Sequence, residues 1–254
     1  MSKTTPLNAE SHAKTKVKPR EDFLDVNNQN FISLTADEFS SAASSFPIML
    51  IKNGQNGQFH AIALTAFEEG QNLFCGQAGQ QWEGVYIPKA MQRVPFVLGP
   101  DPDKENSVTT HLIDENPRVN EQDGQALFDE SGQATGFLQG VEKQLADFYH
   151  MERATQQFIK ALLTHNLLKE YEVLVRFASD RTKRIKGFYN IDEERLNSLS
   201  VEVAADFFKQ GFFAPIYAML SSVTQFNRLL RLQNNQSDDS IVQLNMRAAQ
   251  EDEL

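Results

Sequence analysis

Ile48-Met49-Leu50-Ile51-Lys52-Asn53-Gly54-Gln55-Asn56-Gly57-Gln58-Phe59-His60-Ala61-Ile62-Ala63-Leu64 is the stretch that decides the fold class. Two branched, apolar runs, 48–52 and 59–67, lie on either side of a segment with two glycines. Such runs suit a buried, pleated surface, and Gly54 and Gly57 supply the positive φ that a tight reversal needs. The reading is a β-hairpin. Shorter strand candidates follow at 72–75, 85–87, 95–98 and 109–114. Pro88 can open one helical turn, where its missing N–H is no loss.

Upstream, Thr35 and Glu38 have capping-box spacing and Leu34 can staple onto Phe39, so a short helix begins there. Downstream the period changes. Phe137, Val141, Leu145, Phe148, Met151, Phe158 and Leu162 recur at helical steps, which predicts an amphipathic helix or a broken pair to about Asn166. Tyr171 to Ala178 reads as a strand with Val173, Val175 and Phe177 on one face, paired with Ile185 to Tyr189. Asn190 and Glu193 predict a capped helix over 191–198. Further helices are expected at 201–210 and 213–233, with Gly211 as the stop between them. The expected architecture is α+β, an antiparallel sheet packed against C-terminal helices. Residues 1–22 read as a mobile basic arm that can dock locally, 23–234 as a single domain, and 235–254 as a polar, acidic, fraying tail.

The chain of 254 residues has a formal net charge of −10, which disfavours binding to a phosphate backbone. One cysteine, Cys75, excludes an internal disulfide and a thiolate zinc site. The most apolar uncharged stretch, 212–220, is far short of the ~20 residues of a membrane span, and the first residues lack the apolar run of a secretory signal. The default expectation is a soluble, cytoplasmic protein without nucleic-acid partners or a transmembrane segment. Two charge runs, basic at 181–186 and acidic at 101–130, read as solvated faces.

The motifs of common chemistries are missing. There is no glycine-rich loop ending in Gly-Lys-Ser or Gly-Lys-Thr, no dinucleotide fingerprint, no Gly-x-Ser-x-Gly and no His-Glu-x-x-His. His150 and His165 on one helix would stand ~22 Å apart, too far to share an ion. The acidic run from Asp101 lacks the glycine and the bidentate glutamate of a calcium loop, with Asn106 and Leu112 in their places. His111 near Asp114 and Glu115 reads as a surface histidine, and Cys75 beside Phe74 as a small buried residue. No catalytic residue, metal site or cofactor is assigned.

One segment stands out. Residues 70–96 gather the only tryptophan, a tyrosine, two phenylalanines and two prolines among glycines. Rings at strand ends make either a dense core or a recognition groove, and Arg93 could place a cation over a ring or clamp a carboxylate. Trp82, Tyr86, Arg93, Asn72 and Phe96 are the candidates for ligand or partner contact.

Phe46-Pro47-Ile48, Asn72-Leu73-Phe74, Trp82-Glu83-Gly84-Val85-Tyr86-Ile87-Pro88 with Arg93 to Phe96, Ala126 to Glu130, Gly187 to Glu193 and Leu220-Ser221-Ser222 form a series. In that order they resemble the bacterial SapC-like family over roughly residues 30–232. The resemblance implies surface-layer or envelope-associated biology, or an accessory role beside a modifying enzyme, and no established reaction. Surface association would then need a route without a cleavable signal peptide. The expectation is a non-enzymatic accessory that binds a protein or peptide. The rivals are an enzyme whose site assembles only in the fold and a self-assembling surface-layer component. The stripe Ile216, Leu220, Val223, Phe226 and Leu230 offers burial within the chain or a homodimer face.

Overall fold

The structure, a computed structural model of the chain, describes residues 3–76 and 79–249. It opens with β1 (Thr4–Pro6), a helical turn α1 (Ala9–His12) and β2 (Lys16–Val17). β3 (Phe31–Ser33) leads through a 3-10 turn, Ala36–Glu38, into α2 (Phe39–Ala42) and the hairpin of β4 (Ile48–Lys52) and β5 (Phe59–Leu64). Next come α3 (Lys89–Gln92), β6 (Phe96–Pro100), β7 (Val108–Ile113), β8 (Val119–Asn120), β9 (Gln125–Ala126) and the long α4 (Gly136–Thr164). The hairpin β10 (Leu168–Phe177) and β11 (Thr182–Ile191) precedes α5 (Glu193–Asn197), α6 (Val201–Lys209), α7 (Phe213–Ser222), α8 (Phe226–Gln236) and β12 (Ile241–Ala248).

The strands form three antiparallel sheets, ordered β12-β10-β11-β4-β5-β3, β1-β7-β6 and β8-β2-β9. The fold is α+β. The two hairpins join where Phe188 and Tyr189 of β11 face Ile51 and Leu50 of β4. Helix α7 covers that joint, packing on α2, β4 and β11. Helix α4, roughly 43 Å long, connects two cores. Its Leu138 and Leu145 sit with Val17, Phe96, Leu112 and Leu127, and its Phe158, Ile159 and Leu162 enter the main core. No helix of the described residues is long and apolar enough to cross a membrane.

The capping box forms as read, with Thr35 and Glu38 satisfying each other's backbone ends, and Leu34 and Phe39 share the main core. In the β4–β5 turn only Gly57 takes a positive φ, 73°. Several local details differ from the sequence expectations. Residues 72–75 and 85–87 are not strands; their trace of sheet is one isolated bridge, Cys75 to Trp82. The cap of α5 is Asp192, which accepts from Glu194 and Arg195 N–H, because Asn190 is held in the buried end of β11. The helix expected over 213–233 is interrupted by a 3-10 turn, Val223–Gln225.

The basic N-terminal segment, expected as an arm, supplies β1 and β2, and Arg20 closes it with a two-pronged bond to Asp25 at 2.7 Å. After Asn234 the chain does not simply fray. Leu244, Met246 and Ala248 alternate with Asn245 and Arg247, and β12 pairs along β10 from Tyr171 to Phe177. The acidic end, Glu251 to Leu254, lies outside the described residues. The stripe Ile216, Leu220, Val223, Phe226 and Leu230 packs into the main core of its own chain.

Cys75 is buried with Val26, Ile32 and Met91. Burial, reinforced by the Asp25 carboxylate and opposed by Arg20, pushes its thiol from 9.0 up to about 12. Iodoacetamide at pH 8 should therefore alkylate the native protein ~1000-fold more slowly than the urea-unfolded chain. A thiol raised on folding stabilises the fold below pH 9 and loses that contribution as pH climbs towards 12. Cys75→Ala should flatten the alkaline slope in denaturant titrations.

Candidate functional site

The aromatic segment is fixed from its inner side. Trp82 is partly buried, with its ring 5.2 Å from Phe23, 5.7 Å from Phe74 and 6.0 Å from Phe46. Its Nε1 donates to the Tyr86 carbonyl at 2.9 Å. That bond passes over Gly84, where a Cβ would come within 2.5 Å of the indole nitrogen, so only glycine fits. Buried Ser45 Oγ accepts from Val85 N at 3.0 Å and from Tyr86 N at 3.2 Å. Glu83 N donates to the Phe74 carbonyl at 2.8 Å, and the Arg228 guanidinium donates to the Glu83 carbonyl. The outer side of the same loop is open, with Val85 81% exposed.

Beneath the loop lies Glu38, 2% exposed. Its Oε1 accepts from Thr35 N at 2.8 Å and from Thr35 Oγ1 at 2.9 Å, and its Oε2 accepts from Tyr86 OH and Lys89 N, both at 2.9 Å. A buried carboxylate is tolerable when its lone pairs are so fully used. Burial, with the Glu38 charge beside it, raises the Tyr86 phenol well above its ordinary value of 10.0. The pair ties the aromatic loop to the 3-10 turn beneath it.

Arg93 faces a different opening. Its guanidinium stands 4.7 Å over the Phe148 ring of α4, and its Nε is sealed off without an acceptor. Burial lowers its pKa, and Glu152 acts on it in the opposite direction. The Glu152 carboxyl is raised by its own partial burial, against the pull of Arg93 and His60. His60, Glu152 and Arg153 line an open pocket of about 520 Å³ between β5 and α4.

The structure thus brings Trp82 and Tyr86 together and puts Arg93 one helical turn further on, against α4. Asn72 is internal: its Nδ2 donates to the Val26 carbonyl at 3.0 Å and its Oδ1 accepts from Phe74 N at 3.0 Å. Phe96, 3% exposed, belongs to the second core beside Phe137. His111 is also buried, lying across Gly99 with Nε2 3.0 Å from the Pro100 carbonyl. Among the described residues no group of three or more His, Cys, Asp or Glu is placed to hold a metal ion. The sequence reading did not foresee Ser45, Lys89, Phe148 or Arg228. Glu38 was read as a cap, and its second oxygen had no local signal.

Glu38→Ala should leave the Tyr86 and Thr35 hydroxyls and two backbone N–H groups without their acceptor, at a cost of about 3 kcal/mol. For a chain of this size that is a Tm drop of roughly 10 °C by differential scanning calorimetry. Glu38→Gln, which keeps one acceptor oxygen, should lose less than half of that.

No curated protein and no solved structure matches the chain. The family model described as SapC matches residues 7–229, from the N-terminal segment to the first turn of α8. That span holds the Glu38–Tyr86 pair, the aromatic loop and the main core up to Leu229, and the chain belongs to the SapC family.

Proposed function

We propose that this SapC family member is a non-enzymatic accessory that binds a protein or peptide, using the loop around Trp82 as its contact. The observation that carries this reading is Val85, 81% exposed at the apex of a loop whose base is tied down by Trp82, Ser45, Glu38 and Arg228. An apolar side chain held out on a rigid loop loses little conformational freedom when a partner covers it, which favours binding. Trp82 and Tyr86 act here as the frame that presents Val85, and Asn72 supports that frame from the interior by holding Phe74, while Phe96 lies in the second core. The family resemblance supplies the setting, surface-layer or envelope-associated processes.

Replacing Val85 by the photo-cross-linker p-benzoylphenylalanine in the native host should give a discrete adduct with one protein. Val85→Glu, folded by circular dichroism, should cut recovery of that protein from a tagged full-length chain at least tenfold. Fractionation of the adduct between cytosol and envelope tests the setting. A cross-linker at Val85 that yields only solvent-quenched monomer would sink the reading.

A further inference from the structure

Between α3 and α4 a pocket of about 240 Å³ opens beside Arg93 and Phe148. That is below the roughly 300–1,000 Å³ of sites that enclose a whole drug-sized ligand, so it suits the end of a molecule. Its floor is the Phe148 ring, 6% exposed, carrying the Arg93 guanidinium at 4.7 Å. Arg93 is partly buried, with its Nε sealed off and unbonded, which is costly for a charged group, and an arriving anion offsets that cost. Neither nearby carboxylate supplies one. Asp147, on the pocket rim, and Glu152 form no ion pair with Arg93 within 4.0 Å.

The other walls narrow the chemistry. Lys89, paired with Asp37 and touching Met151 Sδ at 3.1 Å, closes the α3 side with its charge already compensated, which leaves Arg93 as the uncompensated cation of the pocket. Gln92 uses its Nε2 on the Ile87 carbonyl at 2.6 Å, which leaves its Oε1 to accept an N–H. Met151 and Phe148 make an apolar wall for a side chain. Asp147 and Glu152 stand too near for a dianion such as phosphate to be favoured, whereas a single carboxylate matches the planar fork of arginine.

We propose that this pocket takes the free carboxylate of a terminal or N-acylated apolar amino acid residue, clamped by Arg93 over Phe148, with Gln92 accepting the residue's amide N–H. It rests on the partner-binding reading only for the source of that residue, the C-terminus of a bound peptide. The chain from Tyr86 to Lys89 links the contact loop directly to the pocket, since both residues bond the same Glu38 oxygen.

The test is a titration of the ¹⁵N-labelled full chain with N-acetyl-leucine, N-acetyl-leucinamide, the peptide acetyl-Gly-Gly-Leu and inorganic phosphate. Saturable amide shifts at residues 89–93 and 144–151 are expected with both carboxylates, at least tenfold weaker with the amide and with phosphate. Arg93→Gln removes a desolvated charge without removing bulk, and should keep the fold and lose the tenfold preference for acid over amide. Arg93→Lys, which keeps charge but not the fork, should retain only part of it. Tighter binding of the peptide than of N-acetyl-leucine supports a protein C-terminus as source; equal binding supports a single acylated residue in the same pocket. Equal response to acid and amide in the native protein, or phosphate binding as well as the acids, overturns the proposal. A failed cross-link at Val85 alongside a positive titration removes the partner reading and leaves the pocket standing.

Discussion

A single buried carboxylate organises the part of the molecule that carries the aromatic loop and the start of α3. Glu38 accepts four hydrogen bonds from three residues, its own neighbour Thr35 and, from a segment far along the chain, Tyr86 and Lys89. Placing an ion inside a protein is unfavourable unless nearly every lone pair is engaged, so the geometry tolerates little drift. The register of the 3-10 turn, the height of the loop above it and the start of α3 are set together. The neighbouring pairs extend the linkage to α4: Lys89 reaches Asp37 and Met151, and Thr155 Oγ1 accepts from Ala36 N at 2.8 Å. Val85 and the Arg93 pocket thus lie on two sides of one fixed point.

The sheet gives that point a rigid footing. β4 pairs with β5 on one side and β11 on the other, so the hairpin beneath the aromatic loop is continuous with the C-terminal one. Ser222 at the end of α7 donates its Oγ–H to the Met219 carbonyl at 2.6 Å and accepts from Ile48 N at 2.9 Å, locking the helix to the first residue of β4. On the opposite face of the sheet, fully buried Glu172 bonds Arg184 of β11 and Arg247 of β12, which hold its carboxyl below the usual range. Both buried glutamates do comparable work: each joins segments that no hydrophobic contact would align so narrowly.

Much of the scaffold was legible because its signals are local. The β4–β5 hairpin, the Thr35–Glu38 box, the stripe of α4 and the β10–β11 pair each follow from periodicity and turn chemistry within a short window. What escaped depends on contacts distant in sequence. The polar residues around β12 mask a period-two pattern that becomes a strand only because β10 has a free edge to pair with. Residues 72–75 and 85–87 have strand-like composition, yet the packing of Trp82 between Phe23, Phe46 and Phe74 bends them into loops. At the candidate site, the sequence singled out the aromatic segment around Trp82 and offered Arg93 as a cation over a ring or a clamp for a carboxylate. It could not show that Phe148 would lie beneath that arginine, or that Asn72 and Phe96 would face inward.

The place of β12 bears on how the molecule is made. It lies at the rim of the six-stranded sheet and is the last of those strands to leave the ribosome, after all of α4 to α8. Until it emerges, β10 leaves the outward N–H and C=O groups of its Tyr171–Phe177 edge unpaired beside Val173 and Val175, a template for pairing with another nascent chain. Completion of the sheet, and with it the second arginine on Glu172, is thus a late event in biosynthesis, and truncations that spare every helix would still leave a sticky, unfinished edge.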